Sequence, residues 1–125
     1  MWFTKPSVLI IDDDLSLSFL AEKRLTIKDN LQVERVDNGI SGLSLAQENQ
    51  YDLIILDWVM PEMNGLEVLQ QLKNDEKTRE VPVLMLTGKK LVGEIEDAFA
   101  NGAADYLTKP FEPEKLSEKV KSLLH

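Results

Sequence analysis

The feature that most constrains this sequence is a short apolar run that ends in three carboxylates, Val8-Leu9-Ile10-Ile11-Asp12-Asp13-Asp14. Four consecutive apolar residues are typical of a strand that is covered on both faces, as in a parallel sheet between helices. Carboxylates resist burial, because an unpaired charge loses its hydration. The chain must therefore bury this strand and still place its carboxyl end where three adjacent acids can be stabilised.

Similar apolar runs recur along the chain and alternate with segments of helical spacing. The strong runs are residues 8–11, 53–56 and 81–86, and weaker ones lie at residues 31–36 and 104–107. Between the runs, apolar residues recur at intervals of three and four, which is the pattern of one helix face. The five helical stripes are Leu17, Leu20, Ala21 and Leu25; Ile40, Leu43 and Ala46; Leu66, Leu69 and Leu72; Leu91, Ile95, Ala98 and Phe99; and Leu116, Val120, Leu123 and Leu124. Five strands alternating with five helices predict an α/β fold, a doubly wound parallel sheet with helices on both faces.

Residues with capping preferences indicate where some helices begin. Asp14 is a candidate N-cap of the first helix. Asn64 with Glu67 three residues later resembles a capping box. Pro113 suits the first turn of the last helix, because that position needs no backbone N–H. These signals agree with the helical stripes and support the predicted alternation.

The composition suits one compact domain. The 125 residues are 43% hydrophobic and 29% charged, which is long enough and apolar enough to enclose a core. No repeat, low-complexity tract or linker interrupts the chain, so we expect one domain over residues 1–125 with its core at about 7–124. The 22 acidic and 14 basic residues give a formal net charge of −8, which argues against direct binding to nucleic acid through a basic face.

Other sequence features narrow the chemistry. The chain has no cysteine, which excludes disulfides and thiol chemistry. Its start lacks the features of a signal peptide, and no apolar run approaches the about 20 residues that span a bilayer. We therefore expect a cytoplasmic protein that does not interact with membranes. The single histidine is His125, at the last position, where we expect a frayed terminus rather than a site.

Polar side chains follow four of the predicted strands. Asp12 and Asp13 follow the first strand, Asp57 ends the third, Thr87 ends the fourth and Lys109 follows the fifth. In an open parallel sheet, ligands bind outside the carboxyl ends of the strands. We therefore expect these five side chains to lie along one edge of the sheet.

Three neighbouring carboxylates repel one another. At about 4 Å and an effective dielectric constant of about 20, each like-charge pair costs about 4 kcal/mol before screening. Lys109 offsets only part of this cost, so either one acid holds a proton or a divalent cation binds. With oxygen ligands alone and neither cysteine nor a suitable histidine, the pattern favours Mg²⁺, with Mn²⁺ as the alternative.

Each of these residues also has an ordinary structural interpretation. An acid after a strand often caps the next helix, Lys109 before Pro110 can belong to a turn, and Tyr106 can belong to the core. A single polar residue such as Asp57 at a strand end would carry little weight. Their combination at the ends of different strands favours a functional site.

The combination of Asp12-Asp13, Asp57, Thr87, Tyr106 and Lys109-Pro110 resembles the receiver domains of two-component response regulators. The segment 57–65, Asp-Trp-Val-Met-Pro-Glu-Met-Asn-Gly, is similar to the turn that follows the phosphorylated aspartate in that family. The resemblance extends over nearly the whole chain. It implies the CheY-like, flavodoxin-like arrangement, a single sheet of five parallel strands in the order 2-1-3-4-5 with five helices.

The resemblance implies that the acids form a phosphoacceptor site. Asp57 would accept a phosphoryl group from a phosphohistidine on a sensor histidine kinase or a histidine phosphotransfer protein. Asp13 and Asp57 would bind Mg²⁺ directly, and Asp12 would act mostly through water. The backbone carbonyl of Val59 would complete the protein ligands. The protein would catalyse only its own phosphorylation and dephosphorylation.

The resemblance also implies a switch. Lys109 would pair with a phosphoryl oxygen, and its peptide bond to Pro110 would be cis. The Thr87 hydroxyl would bind the phosphoryl group, and Tyr106 would then rotate toward the interior. The surface of the fourth helix, fifth strand and fifth helix would change and act on a downstream output domain or protein. The same surface, including residues 89–91 (Lys89, Lys90 and Leu91), is the candidate for a phosphorylation-dependent homodimer.

Two other interpretations remain open from the sequence. Asp12-Asp13-Asp14 loosely resembles the Asp-x-Asp motif of haloacid-dehalogenase-like phosphatases, but residues 110–125 lack the later aspartates of that family. A degenerate receiver would act as an interaction module without phosphorylation. The chain contains no helix-turn-helix pattern, so any effect on transcription would need another domain or protein.

Overall fold

A computed structural model of the chain describes residues 5–88 and 92–124. Lys89, Lys90, Leu91 and His125, which the sequence predictions include, lie outside these ranges. The strands are β1 (Ser7–Ile11), β2 (Gln32–Val36), β3 (Leu53–Asp57), β4 (Val83–Thr87) and β5 (Asp105–Thr108). The helices are α1 (Leu15–Ile27), α2 (Gly39–Glu48), α3 (Gly65–Asn74), α4 (Val92–Ala100) and α5 (Pro113–Leu123).

The five strands form one parallel sheet in the order β2-β1-β3-β4-β5. The predicted fold class and strand order are therefore confirmed. β1 and β3 are neighbours in register, with Ile11 opposite Leu56. β4 and β5 also end together, with Thr87 opposite Thr108. This alignment brings the residues that follow the central strands to one edge of the sheet.

The apolar core forms two layers, one on each face of the sheet, because successive side chains of a strand point to opposite faces. Along β1, Leu9 and Ile11 contribute to the layer that includes side chains of α2, α3 and α4. Val8 and Ile10 contribute to the layer that includes side chains of α1 and α5. All four side chains are fully buried. Burial on both faces is the reason that this strand is apolar at every position.

The helices begin where the capping residues predict. Asp14 accepts a hydrogen bond from the backbone N–H of Leu17 and caps α1. Asn64 and Glu67 form both halves of a capping box at α3, and Pro113 occupies the first turn of α5. Among the residues that the structure describes, no helix has both the length and the apolar character that crossing a bilayer requires.

Three predicted core positions are wrong, because the side chains of Leu20, Ile40 and Phe99 are exposed. The stripe on α1 predicts that Leu20 packs inward with Ala21 and Leu25, but its side chain is 64% exposed. The residues that α1 buries are Ser18, Ala21 and Leu25, which lie within about 60° of one another on a helix of 100° per residue. Leu20 lies on the opposite side of the same helix. Because α1 has apolar residues on several faces, the spacing alone does not identify the face that meets the sheet.

Candidate functional site

Three carboxylates meet at the carboxyl ends of β1 and β3. Asp12 and Asp13 directly follow β1, and Asp57 is the last residue of β3. One carboxylate oxygen from each residue lies within 4.8 Å of the others. Asp12 and Asp57 are 1% and 5% exposed, whereas Asp13 is exposed to solvent. We call Asp12, Asp13 and Asp57 the acid site.

The side chain of Lys109 enters the acid site. Its Nζ lies 3.0 Å from Oδ2 of Asp12 and 3.2 Å from Oδ1 of Asp57. The backbone N–H of Lys109 donates to the carbonyl of Thr87 at 2.8 Å, and the peptide bond from Lys109 to Pro110 is cis. Burial by itself would lower the pKa of Lys109, but the carboxylates of Asp12 and Asp57 outweigh it and raise that pKa.

The charge of Asp57 is not fully compensated by the protein. Burial, followed by the negative charge of Asp12, raises the pKa of Asp57 from its ordinary value of 3.8 to about 7. Lys109 opposes this shift through its charge and its hydrogen bond, but does not cancel it. Within residues 5–88 and 92–124, one lysine stands against three carboxylates, which leaves a surplus of negative charge that a bound cation can neutralise.

The oxygen atoms of the acid site fit a hard divalent cation. Oδ1 of Asp12 accepts a hydrogen bond from the backbone N–H of Asp14 at 2.8 Å. Oδ2 of Asp12 is buried without a hydrogen bond among the described residues, and its contact with Lys109 is an ion pair. Buried carboxylate oxygens of this kind are ordinary ligands of Mg²⁺. Asp13 lies on the solvent side, from which an ion and its waters can enter.

The turn after β3 holds Asp57 in place and depends on a glycine. The backbone N–H of Gly65 donates to the carbonyl of Trp58 at 2.7 Å. A Cβ atom on Gly65 would overlap the carbonyl oxygen of Asp57 and would lie 2.8 Å from Cα of Trp58. Gly65 belongs to the family-like turn 57–65, but its packing against Asp57 could not be predicted from that resemblance. The Asn64-Gly65 pair, which places a small residue directly after a helix cap, is the signal that indicates it.

Thr87 and Tyr106 lie beside the acid site. Thr87 is the buried last residue of β4, the strand next to β3. Tyr106 lies on β5 opposite Met85 and is partly buried. Both residues line a closed pocket beneath α4 that has no room for a water molecule. The other residues of its wall are Trp58, Met85, Glu94, Ile95 and Ala98.

The structure thus brings most of the predicted site residues together. Asp12, Asp13 and Asp57 form one cluster with Lys109, as the strand-end argument predicts. Val59 lies two residues after Asp57, and its side chain is exposed. The arrangement can hold a cation and offers a buried carboxylate beside a lysine, which are the parts that a phosphoryl acceptor needs.

Comparisons with known proteins agree with this arrangement. The family model described as "Response regulator receiver domain" matches residues 8–121. The DNA-binding dual master transcriptional regulator RpaA of Synechocystis sp. is 43% identical in an alignment 122 residues long, which covers 95% of this chain and 49% of RpaA. The transcriptional regulatory protein CiaR of Streptococcus pneumoniae is 41% identical over 117 residues, which are 94% of this chain and 50% of CiaR.

Solved structures show the same fold. The chemotaxis protein CheY4 of Vibrio cholerae has a TM-score of 0.91 and 30% identity, and the match covers 97% of this chain and all of CheY4. The chain spans about half the length of the curated relatives that it matches. These relatives are regulators, and the family consists of signalling domains rather than classical enzymes. The chain belongs to the family of response regulator receiver domains.

Proposed function

We propose that Asp57 accepts a phosphoryl group from a phosphohistidine on a sensor histidine kinase or a histidine phosphotransfer protein. The observation that carries this proposal is the buried carboxylate of Asp57, which lies within the acid site and 3.2 Å from Nζ of Lys109. An oxygen of Asp57 bonds to phosphorus as the bond from phosphorus to the donor nitrogen breaks. The electron pair of the broken bond remains on the imidazole of the donor, which takes up a proton.

A cation and a lysine would compensate the charge of this reaction. The carboxylates of Asp12, Asp13 and Asp57 and the backbone carbonyl of Val59 are the proposed ligands of Mg²⁺, or of Mn²⁺ in its place. When bound, the cation supplies the positive charge that lets an anionic carboxylate approach an anionic phosphoryl group. Lys109, which already contacts Asp12 and Asp57, would pair with an oxygen of the transferred group.

Thr87 and Tyr106 would convert the modification into a change of shape. Thr87 ends the strand next to Asp57, so its hydroxyl is suited to donate a hydrogen bond to the phosphoryl group. Tyr106 shares a pocket with Thr87 and would move toward the interior when Thr87 moves. The protein would thus have two packings, one with Tyr106 in its resting position and one with Tyr106 moved inward, and the surface of α4, β5 and α5 would differ between them. A change of a few kcal/mol in their relative free energy suffices to change their populations.

The partners of the whole protein follow from the same proposal. The switched surface would act on a downstream output domain or protein, or would form a homodimer through α4, β5 and α5. The relatives carry about as much sequence again beyond the matched region, which leaves room for an output domain in them. A cytoplasmic location and a single receiver domain over residues 1–125 are part of this proposal.

The phosphatase alternative is not favoured. An Asp-x-Asp mechanism would require Asp14 to face the reaction centre together with Asp12. The Asp14 carboxylate instead accepts a hydrogen bond from the N–H of Leu17 and caps α1, and it is not part of the acid site. The match to the receiver family over residues 8–121 also argues against this alternative.

Intact-mass spectrometry after incubation with phosphoramidate and Mg²⁺ tests the proposed function. We expect an increase by one phosphoryl group in the wild type and none in Asp57→Asn. Asp37→Asn is the matched control, because Asp37 is an exposed aspartate that directly follows the neighbouring strand β2 but is not part of the acid site. Phosphorylation that persists in Asp57→Asn would contradict the proposal.

A further inference from the structure

The ring of Tyr106 lies between side chains from two different helices. From α4, the ring of Phe99 makes an edge contact with a centroid distance of 6.0 Å and an interplanar angle of 84°. From α5, Nζ of Lys119 lies 5.5 Å from the centroid of the Tyr106 ring. Both geometries are attractive, because an aromatic ring has a negative face and a positive edge.

Lys119 is itself fixed by an acid on the same strand as Tyr106. Its Nζ donates to Oδ2 of Asp105 at 3.0 Å. Oδ1 of Asp105 accepts a hydrogen bond from the backbone N–H of Tyr106 at 2.8 Å. The carboxylate thus holds the lysine next to the ring, so the cation does not depend on the ring alone for its position.

Tyr106 also lines the closed pocket that it shares with Thr87. Apart from Glu94 and Thr87, the side chains of this pocket are apolar or aromatic, among them Met85, Ile95 and Ala98. The pocket is too narrow for a water molecule, so inward movement of the ring requires the side chains of its wall to rearrange. A ring that moves further inward exchanges its contacts with Phe99 and Lys119 for contacts with this wall.

We propose that Phe99 and Lys119 form a clamp that holds the Tyr106 ring in its resting position and thereby sets how much protein adopts the active packing before Asp57 is modified. The clamp rests on the proposed function, in which Tyr106 moves inward upon phosphorylation. Contacts that exist only in the resting packing lower the population of the other packing by a fixed factor. The clamp residues are thus positioning residues, which act through Tyr106 and do not contact the acid site.

The contacts of Tyr106 with Phe99 and with Lys119 each determine how far a substitution should change the ratio of the two packings. An aromatic pair of this kind changes a population ratio about two- to tenfold. A cation near an aromatic face at a partly exposed site changes it about two- to fivefold. A ligand that binds only the active packing has an apparent affinity proportional to the population of that packing. Weakening the clamp should therefore tighten the binding of a phosphoryl mimic by the same factor.

Calorimetric titration with beryllofluoride in the presence of Mg²⁺ measures this factor directly. We expect the apparent affinity to rise about two- to tenfold in Phe99→Ala. A rise of about two- to fivefold is expected in Lys119→Gln. Phe99 is 45% exposed, so its removal leaves little buried cavity, and the variant should fold. Unchanged or weaker binding in Phe99→Ala would overturn the clamp.

Two matched controls separate the clamp from general surface effects. Phe19 on α1 is 46% exposed and also has cations next to its ring, Lys23 and Arg35, but it does not contact Tyr106. Lys121 on α5 pairs with Asp29 rather than with a residue of the switch. Phe19→Ala and Lys121→Gln should bind beryllofluoride as the wild type does. If Phe19→Ala tightens binding as much as the clamp variant, the clamp is refuted.

The ring resonances of Tyr106 provide a second readout. The chain has two tyrosines, so ring-labelled tyrosine gives two sets of signals, which Tyr51→Phe assigns. In Phe99→Ala without beryllofluoride, we expect the Tyr106 signals to move part of the way toward their positions in the beryllofluoride-bound wild type. If the wild type binds beryllofluoride but the Tyr106 signals of Phe99→Ala stay at their wild-type positions, only the clamp is refuted. A wild type that does not bind the mimic refutes the proposed function and the clamp together.

Discussion

The acid site lies at the ends of β1 and β3, and Tyr106 lies on β5, with β4 between them, and the two regions are held in different ways. Asp12 and Asp57 are almost fully buried at the ends of central strands, and Lys109 lies within 3.2 Å of both. Tyr106 lies on the edge strand β5 and has ring contacts with Phe99 and Lys119 on two helices. The first region is fixed by strong charges, and the second by weak contacts.

This difference separates two tasks of a switch. The acid site contains more negative charge than its lysine compensates, so its free energy drops when a cation binds, and transfer of an anionic phosphoryl group changes this charge balance again. The resting and inward packings of the Tyr106 region differ little in free energy, because each ring contact contributes only about 1 kcal/mol. A large change in electrostatic free energy at the acid site can therefore change the packing around Tyr106, which only weak contacts hold.

The largest effect is expected where the backbone supports the acid site. Gly65→Ala should lower the free energy of unfolding by about 3 kcal/mol or more, because the added Cβ overlaps the carbonyl oxygen of Asp57. Urea unfolding followed by circular dichroism measures this loss. Gly93→Ala is the matched control, since a Cβ there meets no atom of the described residues within 4 Å, and it should stabilise α4 by about 0.5–1 kcal/mol. Equal effects of the two substitutions would refute the rigid support of Asp57.

A smaller effect is expected from the surplus charge itself. In metal-free protein at pH 8, Asp57→Asn should raise the free energy of unfolding by about 1–3 kcal/mol, because it removes a repelled carboxylate. The pKa of Asp57 in the folded protein is about 7, against an ordinary value of 3.8. Between these two pH values the folded protein binds more protons than the unfolded chain, so this carboxyl group makes the wild type lose stability as the pH rises.

The pH dependence provides the control for the charge argument. Urea unfolding in the presence of a chelator, at intervals from pH 4 to pH 8, should show a widening difference between Asp57→Asn and the wild type. Saturating Mg²⁺ should remove most of this difference, since the cation compensates the wild-type carboxylates. A difference that is constant over the whole pH range would contradict the account, because the effect would then not come from the charge of Asp57.

The smallest effect on phosphorylation is expected at the border between the two regions. Thr87→Ala should still incorporate phosphate with phosphoramidate and Mg²⁺, at a rate within about tenfold of the wild type, because the lost hydroxyl is one of several stabilising groups. The Tyr106 ring resonances should no longer shift on modification. A failure of phosphate uptake as complete as that of Asp57→Asn would show that Thr87 acts in the reaction rather than in the switch.

The clustering of the acids can be predicted from the sequence, because each acid directly follows or ends a strand that the apolar pattern identifies. A strand buried on both faces, such as β1 or β3, has an uninterrupted apolar pattern, and its carboxyl end is then identified by the first acid. The order of the strands is implied only by the resemblance to a family, since apolar patterns do not show which strands are neighbours. The geometry then places Asp12 and Asp57 side by side.

The surroundings of Tyr106 could not be predicted in the same way. Phe99 belongs to an apolar stripe, which predicts a core position, but it is nearly half exposed and contacts Tyr106 at the surface. Lys119 is an ordinary helix-face lysine in the sequence, and only the packing of α5 against β5 brings it to Asp105 and Tyr106. Contacts between elements that are distant in the sequence leave no periodic signal.

Calorimetric titration of the metal-free protein with Mg²⁺ shows whether Asp12, Asp13 and Asp57 share a cation. We expect one Mg²⁺ ion per chain in the wild type and in Asp37→Asn, and a loss of affinity of about tenfold or more in Asp13→Asn and in Asp57→Asn. No uptake by the folded wild type, or equal uptake by all four proteins, would contradict the claim that Asp12, Asp13 and Asp57 share a cation.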